Sequence, residues 1–171
     1  TPPEYLLVLP WHFRTEIVER EKDFLNNGGQ LVFPFPHFEI VSSKPKLLVT
    51  GCDGQIAHYV KEQFTDYTLY GIGHQNEKYE KNITKFYFDM NNYQLLEHIL
   101  SIIKPDVVVH LACISSSHYA LNHPIETLQT NGLVTAYLCE IIYKNKWQTK
   151  LFNASSSEIY KGHIDYTVEE N

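Results

Sequence analysis

The sequence predicts an α/β protein, a doubly wound parallel sheet preceded by a smaller βαβ extension, and three observations predict it. Short apolar runs of strand length alternate with segments of helical period along most of the chain. A glycine turn, Thr50-Gly51-Cys52-Asp53-Gly54, stands between the apolar run Leu47–Val49 and the helical pattern from Ile56 to Phe64. Asp106–Ala112 reads as the strongest strand, apolar enough to lie mid-sheet with both faces covered. Strands and helices in such alternation wind right-handedly into a parallel sheet.

Composition narrows the class. A chain of 171 residues, 43% hydrophobic and 20% charged, can bury one good core. Lys and Arg number 14 against 20 Asp and Glu, a net charge of −6 with no basic run, which argues against a nucleic-acid surface. The three cysteines, Cys52, Cys113 and Cys139, are odd in number and lack C-x-x-C spacing. Neither a disulfide framework nor a zinc site is expected, and a reducing cytoplasm is the natural location. The nine histidines show no H-E-x-x-H spacing, so no metal is expected. No apolar run approaches the ~18 residues of a membrane span, and the first residues lack a charged-then-apolar leader.

In order along the chain, Tyr5–Leu9 is a short apolar strand ended by Pro10. Thr15–Leu25 places Ile17, Val18, Phe24 and Leu25 at helical offsets, and Asn27-Gly28-Gly29 stops that helix. Leu31–Phe33 is a second strand, closed by Pro34 and Pro36. A unit of roughly 40 residues cannot bury both faces of its strands alone, so it must dock on something. Residues 42–45, polar and ending in Pro45, read as a linker between a segment 1–41 and a larger unit 46–171.

Beyond the glycine turn, Thr68–Ile72 is a buried strand. Dinucleotide-binding sheets commonly place an acidic residue at the end of this strand, ~20 residues past the first glycine, to take a ribose 2′-hydroxyl. Here His74 or Gln75 stands there and Glu77 comes late, which leaves both NAD and NADP open. Lys85–Asp89 is a third strand ending in a carboxylate. Asn91–Ile103 is an amphipathic helix with Leu95, Leu96, Ile99, Ile102 and Ile103 on one face, stopped by Pro105. After Asp106–Ala112 the small Ala112-Cys113 leaves room for a flat ligand at the strand's end. Ile114–His123 reads as a serine-rich connection, Pro124 opens a long helix through Ile125–Tyr143 interrupted by Gly132, and Lys150–Ala154 is a fifth strand.

Taken together, T-G-C-D-G-Q-I-A, D-M after the third strand, H-L-A-C, P-I-E-T-L-Q-T-N-G and A-S-S-S-E-I-Y resemble, in order and spacing, the extended short-chain dehydrogenase/reductases. This is the NAD-dependent epimerase/dehydratase family, and A-S-S-S-E-I-Y is nearest the GDP-mannose-type nucleotide-sugar 4,6-dehydratases; Ser157 stands where the dTDP-glucose type carries an aspartate. The resemblance covers about residues 46–171 and implies a Rossmann-type doubly wound sheet binding NAD or NADP, with a nucleotide sugar as substrate. It would place Gly51, Asp53, Gly54, Gln55 and Ile56 around the diphosphate. Asp89 and Met90 would flank the adenine, and Leu111, Ala112 and Cys113 would line the ribose and nicotinamide. His74 lies at the position beside the adenosine ribose. Departures from the family pattern are Cys52-Asp53 in the turn, Ala57 for a third glycine and Cys113 for an alanine.

The chemistry falls on Ser156 and Glu158, which an extended strand end points to one side. By resemblance Ser156 hydrogen-bonds the C4 oxygen, and Glu158 moves the proton and water between C5 and C6, a carboxylate that a simple epimerase does not need. The family's base, a tyrosine followed four residues later by lysine, is missing: Tyr160 meets Ile164, Tyr166 meets Glu170 and Tyr143 meets Trp147. Thr167–Asn171 resembles the stretch before that motif. On this reading the fold is incomplete at its C-terminal end, and the chain is a piece of a larger protein, expected to bind dinucleotide weakly if at all and to lack turnover.

Residues 4–41, with Y-L-L-V-L-P-W-H-F-R-T-E-I-V-E-R-E and G-G-Q-L-V-F-P-F-P, resemble the last strands and helix of the sugar C-methyltransferases. The parent would then join a methyltransferase to a nucleotide-sugar dehydratase or epimerase, with a possible homodimer formed through the helix at Ile125–Tyr143. Two rivals remain, a non-catalytic dinucleotide-binding sensor and a methyltransferase remnant.

Overall fold

The computed structural model describes residues 3–74 and 80–156. Two sheets form. The smaller contains β1 (Tyr5–Leu7), β2 (Gln30–Phe33) and β3 (Glu39–Val41), with β1 parallel and β3 antiparallel to β2. The segment expected as one helix is two, α1 (Arg14–Arg20) and α2 (Lys22–Asn26), because Glu21 leaves helical geometry at φ −93°, ψ 18°. Ile17 and Leu25 still reach one core, shared with Val8, Leu31 and Phe33. Gly28, at φ +90°, ends α2 in a conformation that disfavours any side chain.

The β3 strand lies in a stretch read as belonging to no element. Its alternation divides it between two cores: Val41 packs with the small sheet's cluster, and Ile40 packs with the cluster of the larger sheet. The extension therefore docks directly on the larger unit. Tyr70 Oη donates to Gln30 Oε1 at 3.2 Å, and the Tyr5 and Thr84 hydroxyls lie 2.7 Å apart. Lys46 Nζ donates to the carbonyls of Ile40 (2.8 Å) and Ile103 (3.0 Å).

The larger sheet has five parallel strands: β4 (Lys46–Thr50), β5 (Thr68–Gly73), β6 (Ile83–Tyr87), β7 (Val107–His110) and β8 (Lys150–Asn153). Their order is β6-β5-β4-β7-β8, so the winding reverses between β4 and β7. On one face Leu48, Tyr70, Ile72 and Val108 meet α4 (Tyr93–Ile103) and the helix that ends before β8. On the other, Leu47, Val49, Leu69 and Val109 meet Ala57 of α3 (Gln55–Gln63). Asn92 caps α4 by accepting from the Leu95 amide at 3.1 Å, and Lys104, left-handed at φ 49°, turns the chain out before Pro105.

The serine-rich connection holds a short helix, α5 (Ser117–Asn122), which the sequence reading left out; Ser116 Oγ caps it by accepting from the Tyr119 amide. The long helix expected after it begins at Pro124 as α6 (Pro124–Leu128), passes through a π turn at Gln129–Leu133 that contains Gly132, and continues as α7 (Val134–Lys144). Among the described residues no helix is long and apolar enough to cross a membrane.

Candidate functional site

The site is built at the carboxyl ends of the strands, around the turn that leaves β4. Gly51 has φ +68°, and a Cβ there would stand 2.9 Å from the Ala112 amide nitrogen and 3.0 Å from its Cα. Glycine is therefore required twice, for the backbone angle and for the approach of the chain leaving β7. The Gly51 and Cys52 amides donate to the Ile72 carbonyl at 2.8 and 3.2 Å, and Gly54 closes the turn by donating to the Gly51 carbonyl at 2.9 Å. Gly54 is the N-cap of α3, with no side-chain cap and no acidic residue in the first turn. The amides that open this helix thus have no side-chain cap, an arrangement that suits an anion. Gln55 and Ile56 are exposed there, Ile56 by 62%.

The two departures in the turn have different consequences. Cys52 is fully buried against Gly71, and burial first, then the Asp53 carboxylate, pushes its thiol up to about 11. Ala57, in the place of a third glycine, is also fully buried, and its methyl group is absorbed among Leu47, Val49 and Val109.

Thr50 fastens the turn to the end of β7. Its Oγ1 accepts from the Leu111 and Ala112 amides, both at 3.2 Å, and lies 2.6 Å from His110 Nδ1. With its acceptor positions engaged, the hydroxyl donates to Nδ1, which puts the imidazole proton on Nε2. His110 is 3% exposed, and burial holds its pKa below the ordinary histidine range. Past β7, Asn131 on the π turn clamps the connection: its Oδ1 accepts from the Ile114 amide at 2.7 Å and its Nδ2 donates to the Ile114 carbonyl at 3.1 Å. The Ala154 amide donates to the His110 carbonyl at 3.1 Å, bringing the end of β8 alongside.

Strand order lays the expected site residues along one edge: Asp89 beyond β6, His74 beyond β5, Gly51–Ile56 beyond β4, Leu111–Cys113 beyond β7 and Ser156 beyond β8. His74, Cys113 and Ser156 are exposed, and Leu111 and Ala112 are half-buried beside Gly51. Asp89 is held in a local turn, its Oδ1 accepting from the Asn91 amide and side chain, both at 2.9 Å. Met90 is 8% exposed and packs in the core, so only its backbone remains for a ligand. Glu158 and Gln75 lie outside the described residues, as do Ser157, Tyr160 and Glu77.

A charged cluster borders the turn on its β5 side, and the sequence reading passed over three of its four members. Lys85 Nζ donates to Asp53 Oδ1 at 3.0 Å and pairs with Glu80 at 2.8 Å. Lys61 Nζ also pairs with Glu80 at 2.8 Å and donates to the Cys52 carbonyl at 3.2 Å. Burial raises the Glu80 carboxyl, but the two lysine hydrogen bonds outweigh it and leave it below the usual range. Burial likewise lowers Lys85, and its bonds to Glu80 and Asp53 reverse the sign and raise it. The sequence reading also passed over Thr50 and His110 as a pair, although a histidine in the otherwise apolar run of β7 was a signal; Lys61, Glu80 and Lys85 carried none, because only the fold gathers them. Among the described residues no three His, Cys, Asp or Glu side chains are grouped as a metal ion would require.

Comparison with known proteins gives two separate matches along the chain. The sequence model of the family described as GDP-mannose 4,6 dehydratase matches residues 48–170, and that of the C-methyltransferase C-terminal domain matches residues 1–36. The C-methyltransferase NovU of Streptomyces niveus is 40% identical over 45 residues, 26% of this chain and 11% of that protein. The UDP-glucose 4-epimerase of Mycoplasma genitalium is 27% identical over 131 residues, 71% of this chain and 38% of that protein. The chain thus spans well under half the length of these relatives. Among solved structures, the UDP-glucose 4-epimerase from Bifidobacterium longum in complex with NAD+ and UDP superposes with a TM-score of 0.63 at 20% identity, over 73% of this chain and 41% of that one. At that identity the likeness is one of fold.

Proposed function

The chain belongs to the GDP-mannose 4,6 dehydratase family, and from that premise we propose that the protein carrying it is an NAD(P)-dependent enzyme acting on a nucleotide sugar, of the 4,6-dehydratase type. The observation that carries this reading is the open start of α3 behind Gly51 and Gly54, set where the sheet reverses its winding. Gly51–Ile56 hold the diphosphate on backbone amides. The half-buried Leu111 and Ala112, with Cys113, border the space for the nicotinamide end, and Asp89 with the Met90 backbone borders that for the adenine. When bound, NAD(P) supplies a hydride acceptor that becomes the donor later in the same turnover.

Ser156 would bond the sugar's C4 oxygen while hydride leaves C4 and the O4 proton passes to the family's tyrosine base, which residues 1–171 do not contain. Glu158 would take the C5 proton and deliver a proton to the C6 hydroxyl, which departs as water, and hydride return to C6 is matched by a proton restored to C5. A 4-epimerase shares the step at C4 and has no use for Glu158. Residues 1–41 are read as the end of a C-methyltransferase unit, 42–45 as a linker and 46–171 as the dinucleotide unit. The exposed Ile125 and Leu128 on α6 fit a homodimer of the parent protein.

Calorimetric titration of the chain with NAD+ and with NADPH tests the binding half, and absence of heat with both sinks it. In the full-length protein, Ser156→Ala should lower kcat by about 100-fold. Glu158→Gln should stop formation of the 6-deoxy product while leaving oxidation at C4 visible as reduced-cofactor absorbance. Unchanged turnover in Glu158→Gln would identify an epimerase instead.

A further inference from the structure

We propose that Asp53 takes over the ribose-reading role that β5 leaves vacant, and that it selects NAD+ against NADP+. This rests on the dinucleotide reading above and adds to it which cofactor the site accepts.

The end of β5 is Gly73, followed by the exposed His74, and neither offers a carboxylate. A Cβ at Gly73 would collide with Asp53 Oδ2 and come within 3.0 Å of Tyr87 Cε1. The carboxylate of the β4–α3 turn therefore lies directly over the last residue of β5, in room that only a glycine leaves. That is the place where an acidic side chain at the strand's own end would otherwise meet a ribose 2′-hydroxyl. The charge arrives from the neighbouring loop.

The surroundings hold Asp53 in place. Its Oδ1 accepts from Lys85 at 3.0 Å, Lys85 is 10% exposed at its side chain, and Lys85 is shared with Glu80 at 2.8 Å. Two carboxylate oxygens offer about four acceptor positions, so the Lys85 bond leaves capacity for a hydroxyl donor. The Asp53 side chain is 34% exposed, which keeps it accessible.

Charge decides between the two cofactors. Lys61 and Lys85 would be the natural partners of a 2′-phosphate, but Glu80 and Asp53 already neutralise them. A 2′-phosphate entering here meets two lysines offset by two carboxylates, one of them Asp53, and so no net positive charge, whereas a 2′-hydroxyl meets an acceptor. The Asp53–Lys85 pair thus favours the unphosphorylated ribose.

The test is an NMR titration of the 171-residue chain with NAD+ and with NADP+, following the Gln55 and Ile56 amides for the diphosphate and Gly73 for the ribose. We expect NAD+ to bind at least about tenfold more tightly than NADP+, and Asp53→Asn to narrow that ratio by about tenfold through loss of a charged acceptor. Lys85→Gln breaks the same ion pair but leaves the carboxylate less compensated, so it should keep or widen the preference for NAD+. If Asp53 merely held Lys85 in place, both variants would move the ratio alike, and that result overturns the proposal. So does a wild-type chain that binds NADP+ as well as NAD+, or a ratio unchanged in Asp53→Asn; in both cases shifts at Gln55 and Ile56 keep the dinucleotide reading intact. No shift at those amides with either compound overturns both. Should Asp53→Asn fail to fold, Lys85→Gln still decides: a ratio kept or widened supports the proposal, and a narrowed ratio overturns it.

Discussion

His110 is the one polar side chain in the described run of β7, and its burial gives folding a pH dependence. Burial disfavours the charged imidazole, so its folded pKa lies below the ordinary 6.5. Between the two values the unfolded chain binds the proton more readily than the folded one, which makes stability rise with pH across that interval. The full contribution is present above 6.5 and is progressively lost as pH falls below 6.5 toward the folded value. Urea midpoints measured at about pH 8 and about pH 5.5 should fall on acidification, and His110→Asn should flatten the part due to this group. An equal fall in the variant would mean that His110 contributes none of it. The sequence reading placed Thr50 in the glycine turn and took the run holding His110 as apolar, so it did not join the two. They are 60 residues apart, and the contact exists only because Thr50 and His110 are in register across β4 and β7.

Among the elements, the β4–α3 turn was the most legible and β3 the least, and the difference is physical. Gly51 and Gly54 announce a turn whose backbone is set locally, so the sequence located it correctly. The β3 strand has three residues and α5 has six, too short for propensity to announce either; β3 is held by its pairing with β2 and the burial of Ile40, and α5 is capped by Ser116. The break at Glu21 was equally hidden, since Ile17 and Leu25 keep a helical spacing across it. The turn also ranks its own glycines. Gly51→Ala places a Cβ at positive φ and 2.9 Å from the Ala112 nitrogen, and should cost about 2 kcal/mol while pushing the end of β7 away from the site. Gly54 has ordinary φ, −78°, and a Cβ there would sit 3.2 Å from the Gly51 carbonyl oxygen, so Gly54→Ala should cost less than half as much. Thermal unfolding of the two variants checks the order, and equal losses would mean that the approach of β7 to Gly51 carries no weight.

At the scale of the molecule, the question is whether the small sheet and the large one unfold together. Sequence reading required the small unit to dock somewhere, because it is too short to cover its own strands, but gave no face for it. The structure supplies the face. Ile40 is 6% exposed within the cluster that also holds Leu48, Tyr70, Ile99 and Ile103, and Val32 packs against the same cluster. Lys46 at the start of β4 is a cation lowered in pKa by burial, and it spans the carbonyls of Ile40 and Ile103, fixing β3 to the end of α4 where a positive charge is favoured. These contacts share one core between both sheets, so Ile40→Ala should destabilise each of them, by about 2–4 kcal/mol. Native-state hydrogen exchange reads the two sheets separately. The amides of Leu31 and Val32 should lose protection in step with those of Leu48 and Tyr70, because a cavity at Ile40 weakens a core they have in common. If β2 lost protection alone while β4 and β5 kept theirs, the extension would be a separate folding unit resting on the larger one, and Ile40 would be surface contact instead of core.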